Sequence, residues 1–325
     1  MINFAVIGTN FITDRFLEAA SSVPEFRLKA VYSRSMEKAE DYARRHGAER
    51  TFDSLDELAA CPDVDAVYVA SPNCCHAPQS IQMMRAGKHV LVEKPAASNL
   101  DEFCRMKETA MENGVILLEA MRSVFSPGFS AIRENLHELG VIRRVSFQFC
   151  QYSRRYDKFK NGIIENAFKP ELSNSALMDI GVYCVHPLAD LFGMPERIQS
   201  SSLKLSNGFE GAGTILVEYD GMQGELVYSK ITDSRVPSQI QGENGVMLID
   251  RIQEPQEVTI CFRDGREKKL DSPKSSNNMV YETEEFIRLI HAGAVEHRWL
   301  KNSETEMRIM DEARAQQGIR FPADR

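Results

Sequence analysis

FAVIGTNFITDRFLEA, residues 4–19, runs from an apolar strand through one glycine into an amphipathic helix. A dinucleotide-binding fold needs a glycine such as Gly8 here, because the chain turns tightly and backbone N–H groups must approach a pyrophosphate. The G-x-G-x-x-G pattern is incomplete, since Asn10 and Thr13 replace two glycines. Asparagine tolerates positive φ, so we expect Asn10 to substitute for glycine; an ordinary strand–helix turn is the alternative. The residues expected to contact a cofactor are Gly8, Thr9, Asn10, Phe11 and Ile12.

Short apolar strands alternate with helices over the first 120 residues. The pattern predicts strands at 2–7, 27–33, 64–70, 89–93 and 115–119, with helices that include 14–22 and 35–45. Ser35 and Gly47 are start and stop signals of one helix, and Asn99 with Glu102 forms a capping box for another. Apolar strands alternating with helices indicate a parallel sheet covered on both faces.

Strand signals lie close together in the second half of the chain. The predicted strands are 144–152, 197–205, 213–219, 224–231, 245–250 and 257–262, followed by helices near 279–291 and 303–317. This spacing predicts a large, mostly antiparallel open sheet. We therefore predict an α/β protein in which residues 1–122 form a doubly wound dinucleotide-binding Rossmann domain. Residues 123–325 form an α+β domain for substrate binding and oligomerisation.

Composition excludes several classes of function. The net charge of −8 argues against nucleic acid or an anionic membrane as partner. No apolar run reaches membrane-spanning length, and the first residues carry neither a basic leader nor a cleavage site. Seven cysteines without CxxC spacing are typical of a reducing compartment, so we expect a cytoplasmic protein. No metal site is predicted.

The end of the second strand indicates the cofactor. NAD-specific proteins usually place an acidic residue there for the ribose 2′-hydroxyl, whereas this chain has Ser33 and Arg34, with Lys38 one turn later. These groups can bind a 2′-phosphate, so the sequence favours NADP over NAD. Solvated charges at the start of a helix are the alternative interpretation.

An apolar strand ends directly in Glu93, Lys94 and Pro95 within GKHVLVEKPAAS, residues 87–98. The carboxyl ends of strands in a doubly wound sheet are where ligands gather. Pro95 ends strand pairing and could hold a cis Lys–Pro bond. A lysine held there would be a cation beside the nicotinamide.

A later helical stretch, SNSALMDIGVYCVHPLADLFG, carries three ionisable residues on one face. Asp179, Tyr183 and His186 have i, i+4, i+7 spacing and fall in a narrow sector among apolar neighbours. A hydrogen-bonded helix face is the alternative to a catalytic role. Pro187 removes a backbone donor, so we expect a kink at His186.

Taken together, these motifs resemble the Gfo/Idh/MocA oxidoreductases, which include glucose–fructose oxidoreductase, inositol dehydrogenase and dihydrodiol dehydrogenase. The resemblance spans essentially the whole chain, from FAVIGTN through ASPNCCH, AGKHVLVEKP, LLEAMRSVFSP and ALMDIGVYCVHPLADLFG to MRIMDEARAQQGIRFP. It implies that Lys94 is the catalytic lysine and Asp179 the helix aspartate. Four residues after that aspartate, inositol-dehydrogenase-like members carry histidine, whereas dihydrodiol-dehydrogenase-like and glucose–fructose-like members carry tyrosine. With Tyr183 this chain resembles the tyrosine branch. The other residues that it places near the cofactor are Ser71, Pro72, Asn73, His76, Glu93 and Arg122. For His76, local hydrogen bonding is as good an interpretation as contact with the cofactor.

The chemistry expected is hydride transfer between a nicotinamide and a carbinol carbon of a sugar, polyol or dihydrodiol. Tyr183 is the candidate for moving the hydroxyl proton, and Lys94 provides a cation that favours its phenolate. Asp179 would orient the substrate or Lys94, and His186 would bond a substrate hydroxyl or relay the proton.

The resemblance leaves two other functions open, since some family members are redox-neutral glycosidases that hold NAD tightly and others are non-catalytic NADP-binding regulators. The presence of Lys94, Asp179 and Tyr183 argues against the regulator. The expected partners are a small sugar-like or polyol-like substrate and a second copy of the chain, as homodimer or higher homo-oligomer.

Overall fold

The computed structural model describes residues 1–273 and 275–324. Its internal contacts separate two compact units, Met1–Ala120 with Ser276–Glu304, and Met121–Ser275 with the chain from Thr305 onward. The sequence-based domains were two continuous segments that met at residue 122. In the structure residues 276–304 belong to the first unit, because α10 (Met279–Ala292) packs against α1 (Phe11–Ala20). No helix in the described ranges is long and apolar enough to span a bilayer.

The first unit is built on a six-stranded parallel sheet with the order β3-β2-β1-β4-β5-β6. Its strands are β1 (Ile2–Ile7), β2 (Phe26–Tyr32), β3 (Arg50–Phe52), β4 (Ala66–Val69), β5 (His89–Glu93) and β6 (Leu117–Ala120). The helices between them are α1, α2 (Met36–His46), α3 (Leu55–Ala59), α4 (Asn73–Arg85) and α5 (Leu100–Asn113). The predicted doubly wound parallel sheet is confirmed. The short edge strand β3 was not predicted.

Helix capping in the first unit follows the sequence signals. Ser35 caps α2, and Gly47 ends it in the left-handed conformation. Asn99 accepts the N–H of Glu102 at the start of α5. Asn10 differs from the prediction, because its φ is −105° and its side chain accepts the N–H groups of Ile12 and Thr13. It therefore acts as an N-cap rather than as a replacement for a positive-φ glycine, and α1 begins at Phe11, earlier than predicted.

The core of the first unit is aromatic. Phe4 on β1 is fully buried, with ring centroids 6.3 Å from Phe16 and 5.9 Å from Phe286. Phe16 stacks on Tyr68 of β4, with centroids 3.7 Å apart and an interplanar angle of 9°. The Phe286 contact explains why α10 belongs to this unit, since it buries an aromatic ring against β1.

The second unit is built on an eight-stranded sheet with the order β14-β13-β12-β11-β7-β10-β9-β8. Its strands are β7 (Ile142–Cys150), β8 (Arg197–Lys204), β9 (Glu210–Tyr219), β10 (Met222–Ser229), β11 (Ser238–Gly242), β12 (Gly245–Ile249), β13 (Val258–Phe262) and β14 (Glu267–Leu270). Only the β7–β10 pair is parallel in the described sheet, so the mostly antiparallel prediction is confirmed. β11 and β14 were missed. The helices are α6 (Arg122–Phe125), α7 (Pro127–Asn135), α8 (Arg154–Lys160) and α9 (Val182–Phe192), while α11 (Arg298–Gln317) contributes to both units.

The helix that carries the three ionisable residues is irregular, but not where the kink was predicted. A π-helical turn covers Leu177–Gly181, and α-helical geometry then continues through His186 and Pro187 to Phe192. The deviation therefore ends at Gly181, more than one helical turn before Pro187. Wide turns of this kind are frequent at functional sites.

The turn after β1 requires glycine at position 8, and this requirement can be tested. Gly8 has φ of +112°, and a Cβ there would lie 2.6 Å from the carbonyl oxygen of Ala70. Gly8→Ala should therefore combine backbone strain with a backbone clash and lower the free energy of unfolding by about 3 kcal/mol or more. Gly47→Ala is the matched control, since Gly47 also has positive φ but has no atom within 4 Å of its added Cβ. We expect it to lose only about 1 kcal/mol. Urea unfolding curves measure both losses, and equal losses would contradict the role of the Ala70 contact.

Candidate active site

The carboxyl end of β1 presents an open helix N-terminus. Asn10 Nδ2 donates to the carbonyl oxygen of Ala70 at 2.7 Å, while its Oδ1 accepts from the N–H of Ile12 at 2.9 Å. The turn is thereby tied to β4. Asn10 and Phe11 are exposed, and Thr9 and Ile12 are partly exposed. Gly8 leaves no room for a side chain under this turn, so backbone N–H groups can be approached by an anionic group.

The end of β2 carries the residues predicted to bind a 2′-phosphate. The N–H of Ser33 donates to the carbonyl oxygen of Phe52 at 3.1 Å, which fixes the backbone just before Arg34. The Arg34 and Lys38 side chains are exposed, and Ser35 separates them as the N-cap of α2. Two cations near a helix N-terminus are suited to an anionic ligand.

His76 lies on α4, just after the end of β4, and is 1% exposed. Its Nδ1 is 2.8 Å from the carbonyl oxygen of Pro95, and its Nε2 is 2.9 Å from that of Ser71. Burial lowers the pKa of His76, so the neutral ring donates to one of these two carbonyls. These two contacts correspond to the local hydrogen-bonding role that the sequence allowed for His76. Direct contact of His76 with a cofactor stays a prediction, as it does for its partly exposed or exposed neighbours Ser71, Pro72 and Asn73.

The turn after β5 is held by two buried carboxylates. Glu93 accepts from the Tyr68 hydroxyl at 2.6 Å and from the N–H of Lys94 at 3.2 Å. Glu119 on β6 accepts from the N–H of Ala96 at 2.9 Å and from the hydroxyl of Ser303 at 2.5 Å. A buried carboxylate needs such donors, because its desolvation is otherwise uncompensated.

Lys94 is the partly exposed residue of this turn, since its neighbours Glu93, Pro95 and Ala96 are buried. The Lys94–Pro95 peptide bond is cis, as the sequence suggested. The backbone on both sides of Lys94 is therefore fixed by hydrogen bonds to the carboxylates of Glu93 and Glu119. The result is an ammonium group displayed at the carboxyl end of a central parallel strand, where ligands of such sheets bind.

In the second unit, Asp179 lies in the π-helical turn and pairs with Lys230, which directly follows β10. Lys230 Nζ is 2.5 Å from Asp179 Oδ2. The lysine side chain is 5% exposed and the aspartate side chain 38% exposed. Asp179 thus accepts a hydrogen bond from a buried lysine while its own side chain is partly exposed.

Tyr183 has a second cation beside it. The Nε–H of Arg122 donates to the Tyr183 hydroxyl oxygen at 3.3 Å, and the guanidinium carbon lies 5.6 Å from the ring centroid. Phe149 packs edge-on against the same ring, with centroids 5.7 Å apart. Arg122 was predicted to contact the cofactor. It lies at the start of α6, beside the candidate proton-transfer group and within the second unit, and its contact with the cofactor stays a prediction.

His186 forms a buried pair with Glu306 of α11. Nδ1 of His186 is 2.5 Å from Glu306 Oε2, and the two side chains are 2% and 0% exposed. A carboxylate accepts hydrogen bonds, so Nδ1 carries the proton in this pair and the ring orientation is fixed. The sequence assigned His186 a role without this partner.

A hydrogen bond to the buried carboxyl group of Glu210 holds the π-helical turn in place. Its Oε2 accepts the N–H of Leu177 at 2.8 Å, and burial raises the pKa of Glu210. Gly181 lets the ring of Tyr228 approach, since a Cβ there would lie 2.9 Å from Tyr228 Cγ. This packing sets the position of Asp179 relative to the regular helix that follows.

Comparison with known proteins agrees with these features. Residues 2–121 match the family described as "Oxidoreductase family, NAD-binding Rossmann fold", and residues 131–248 match the "GFO/IDH/MocA C-terminal domain". The chain belongs to the Gfo/Idh/MocA family. It is 48% identical to scyllo-inositol 2-dehydrogenase (NADP(+)) IolU of Bacillus subtilis, over 100% of this chain and 99% of that protein. It is 27% identical to trans-1,2-dihydrobenzene-1,2-diol dehydrogenase of Mus musculus, over 100% and 99%.

The fold is also that of KijD10, a 3-ketoreductase from Actinomadura kijaniata solved with NADP and TDP-benzene. The TM-score is 0.85 at 22% identity, with 98% of each chain covered. As a member of the Gfo/Idh/MocA family, this chain is an NAD(P)-dependent oxidoreductase that acts on CH–OH groups.

In this family member, sequence reasoning missed the partners of the expected residues. Tyr68 and Glu119 hold the Lys94 turn, and Lys230 and Glu306 pair with Asp179 and His186. Lys230 carried a weak signal, as a lysine placed directly after a strand otherwise rich in apolar residues. Glu306 carried no signal, because a glutamate on a helix is typical of an exposed face.

The 2′-phosphate assignment predicts a change of cofactor affinity. Arg34→Ala should weaken NADPH binding by about 10- to 100-fold, the loss expected for one charge-assisted hydrogen bond, and leave NADH binding nearly unchanged. Titrations followed by nicotinamide fluorescence measure both dissociation constants. Arg44→Ala is the matched control, because it removes the same charge from the last turn of α2. A wild-type preference for NADH, or an equal loss for both nucleotides, would overturn the assignment.

Proposed function

We propose that this chain is an NADP-dependent dehydrogenase of a cyclic polyol, with scyllo-inositol as the first substrate to test. The observation that carries the proposal is Lys94, displayed as a partly exposed cation on a turn whose other groups are buried. The 48% identity to the Bacillus subtilis scyllo-inositol 2-dehydrogenase supports the substrate class.

The residues present fit a bound NADP. The turn at Gly8 carries no side chain, so a pyrophosphate can approach its backbone N–H groups. Ser33, Arg34 and Lys38 occupy the positions where an acidic residue would repel a 2′-phosphate. When bound, NADP supplies the acceptor for a hydride. In this proposal Gly8 to Ile12 hold the pyrophosphate, and Ser33, Arg34 and Lys38 hold the 2′-phosphate.

The protein's own residues handle the substrate oxygen. The Lys94 ammonium stabilises negative charge that develops on this oxygen as the carbonyl forms. Tyr183 as the phenolate takes the hydroxyl proton and becomes a neutral phenol, and the guanidinium of Arg122 beside it stabilises the negative charge that the phenolate carries before the transfer. Asp179 accepts a hydrogen bond from a neighbouring substrate hydroxyl. His186, oriented through Nδ1 by Glu306, bonds a further hydroxyl or passes the proton on.

Two variants test this mechanism. Lys94→Ala should abolish measurable turnover while NADPH binding stays within about twofold, and Tyr183→Phe should lower kcat by roughly 10²- to 10⁴-fold, the range of general acid–base catalysis. Reduction of NADP⁺ in the presence of scyllo-inositol, other inositols and a panel of sugars is followed at pH 7 to 9.

The control for Lys94→Ala is Lys269→Ala, which removes the same side chain from an exposed position on the edge strand β14. Unchanged kcat in the Lys94 variant would contradict its catalytic role. A wild-type protein that releases no NADPH with any polyol, yet cleaves an aryl glycoside with firmly retained cofactor, would replace the dehydrogenase proposal with the redox-neutral one.

We further propose that the protein is cytoplasmic and forms a homodimer or higher homo-oligomer through the open face of the eight-stranded sheet. All seven cysteines are free thiols in the structure, which suits a reducing compartment. Leu203 and Leu216, on the adjacent strands β8 and β9, are 53% and 48% exposed, which suits a surface covered by another copy. Light scattering should give at least twice the chain mass of 36.7 kDa, and a mass of one chain would contradict the proposal.

A further inference from the structure

Lys230 is a charged residue enclosed in the second unit that no step of the proposed mechanism uses. Its ammonium group lies 2.5 Å from Asp179 Oδ2 and 3.3 Å from the carbonyl oxygen of Ala167. The ring centroids of Phe168 and Phe209 are 4.9 Å and 5.6 Å away. A carboxylate, a carbonyl and two aromatic faces together form a site built for a permanent cation.

The backbone of Lys230 is fixed on both sides. Its N–H donates to the carbonyl oxygen of Gly211 at 2.9 Å, and its own carbonyl accepts from the N–H of Ser153 at 2.9 Å. Phe168 and Phe209 are fully buried, and their rings lie 4.7 Å apart. The lysine stem therefore has little freedom, and the ammonium position is determined by the fold rather than by solvent.

The pair is asymmetric in its exposure. The Lys230 side chain is 5% exposed, whereas the Asp179 side chain is 38% exposed. A ligand that approaches this carboxylate from solvent therefore meets Asp179 and not Lys230. The lysine acts on such a ligand only through the charge and orientation of the aspartate.

We propose that Lys230 is a positioning residue that keeps Asp179 ionised and oriented as the hydrogen-bond acceptor for a substrate hydroxyl next to the carbinol. The inference rests on the proposed polyol dehydrogenase function and deepens it, since it names the group that sets the charge of the substrate-orienting carboxylate. An opposite charge at this distance favours the ionised form of a carboxyl group and lowers its pKa by about 1 to 3 units. Lys230 is a buried cation that pairs with Asp179 within the second unit.

Lys230→Met tests the proposal, because methionine keeps most of the stem and removes the charge. We expect KM for the polyol to rise at least tenfold with a smaller change in kcat. We also expect the acid limb of the kcat/KM–pH profile to move up by about one pH unit, as Asp179 becomes easier to protonate. NADPH binding should stay within about twofold. Lys230→Arg should restore the position of the acid limb, and Lys204→Met on β8 is the control for an exposed lysine.

A second measurement does not depend on turnover. Protein labelled with ¹³C at the aspartate carboxyl carbons is titrated by NMR, and the signal lost in Asp179→Asn identifies Asp179. This signal should titrate about one pH unit or more higher in Lys230→Met than in the wild type. If no polyol is turned over but the signal moves as expected, the proposed function fails and the role of Lys230 stands. If the signal and the acid limb stay unmoved while stability alone falls, Lys230 is merely structural and the inference is overturned.

Discussion

A carboxylate removed from water must be given hydrogen-bond donors, and in this chain the donors of four buried carboxylates hold the residues proposed to act in catalysis. Glu93 and Glu119 accept hydrogen bonds from the backbone N–H groups of Lys94 and Ala96, respectively. Glu306 accepts a hydrogen bond from the imidazole Nδ1 of His186. Glu210 takes the N–H of Leu177, at the start of the π-helical turn. If any one donor were removed, a buried charge or lone pair would be left unsatisfied at a cost of about 1–3 kcal/mol or more.

The consequence is rigidity where the reaction needs it. Lys94 and Asp179 are partly exposed side chains on backbone segments that buried acids fix, so little backbone entropy is lost when either side chain meets a ligand. Two cations in the second unit lie next to the residues proposed to act on the substrate, since Arg122 contacts Tyr183 and Lys230 contacts Asp179. In the proposed mechanism, proton transfer and substrate orientation therefore belong to Tyr183 and Asp179, each of which has a cation as a hydrogen-bonded neighbour.

Elements with a local signature were predictable. β1 and β5 have the bounds read from the sequence, and the caps at Ser35, Gly47 and Asn99 lie where their side chains indicated. β3, β11 and β14 were missed because they are short and carry many polar residues, so pairing with a neighbouring strand rather than propensity forms them. The addition of residues 276–304 to the first unit follows from packing of Phe286 on Phe4, which no local pattern announces.

The sequence by itself determined the parallel and antiparallel sheets, the glycine turn at Gly8, the lysine at the end of β5 and the ordered set Asp179, Tyr183 and His186. These depend on periodicity, on steric limits at glycine and proline, and on residue identity, all of which are local. Only the tertiary structure decided that Asn10 caps a helix, that the irregular turn precedes Pro187, and that Lys230, Arg122 and Glu306 are the partners of the helix residues. Those outcomes arise because desolvated charges must find partners in space, and the nearest partner in space is set by the packing of strands and helices far apart in the chain.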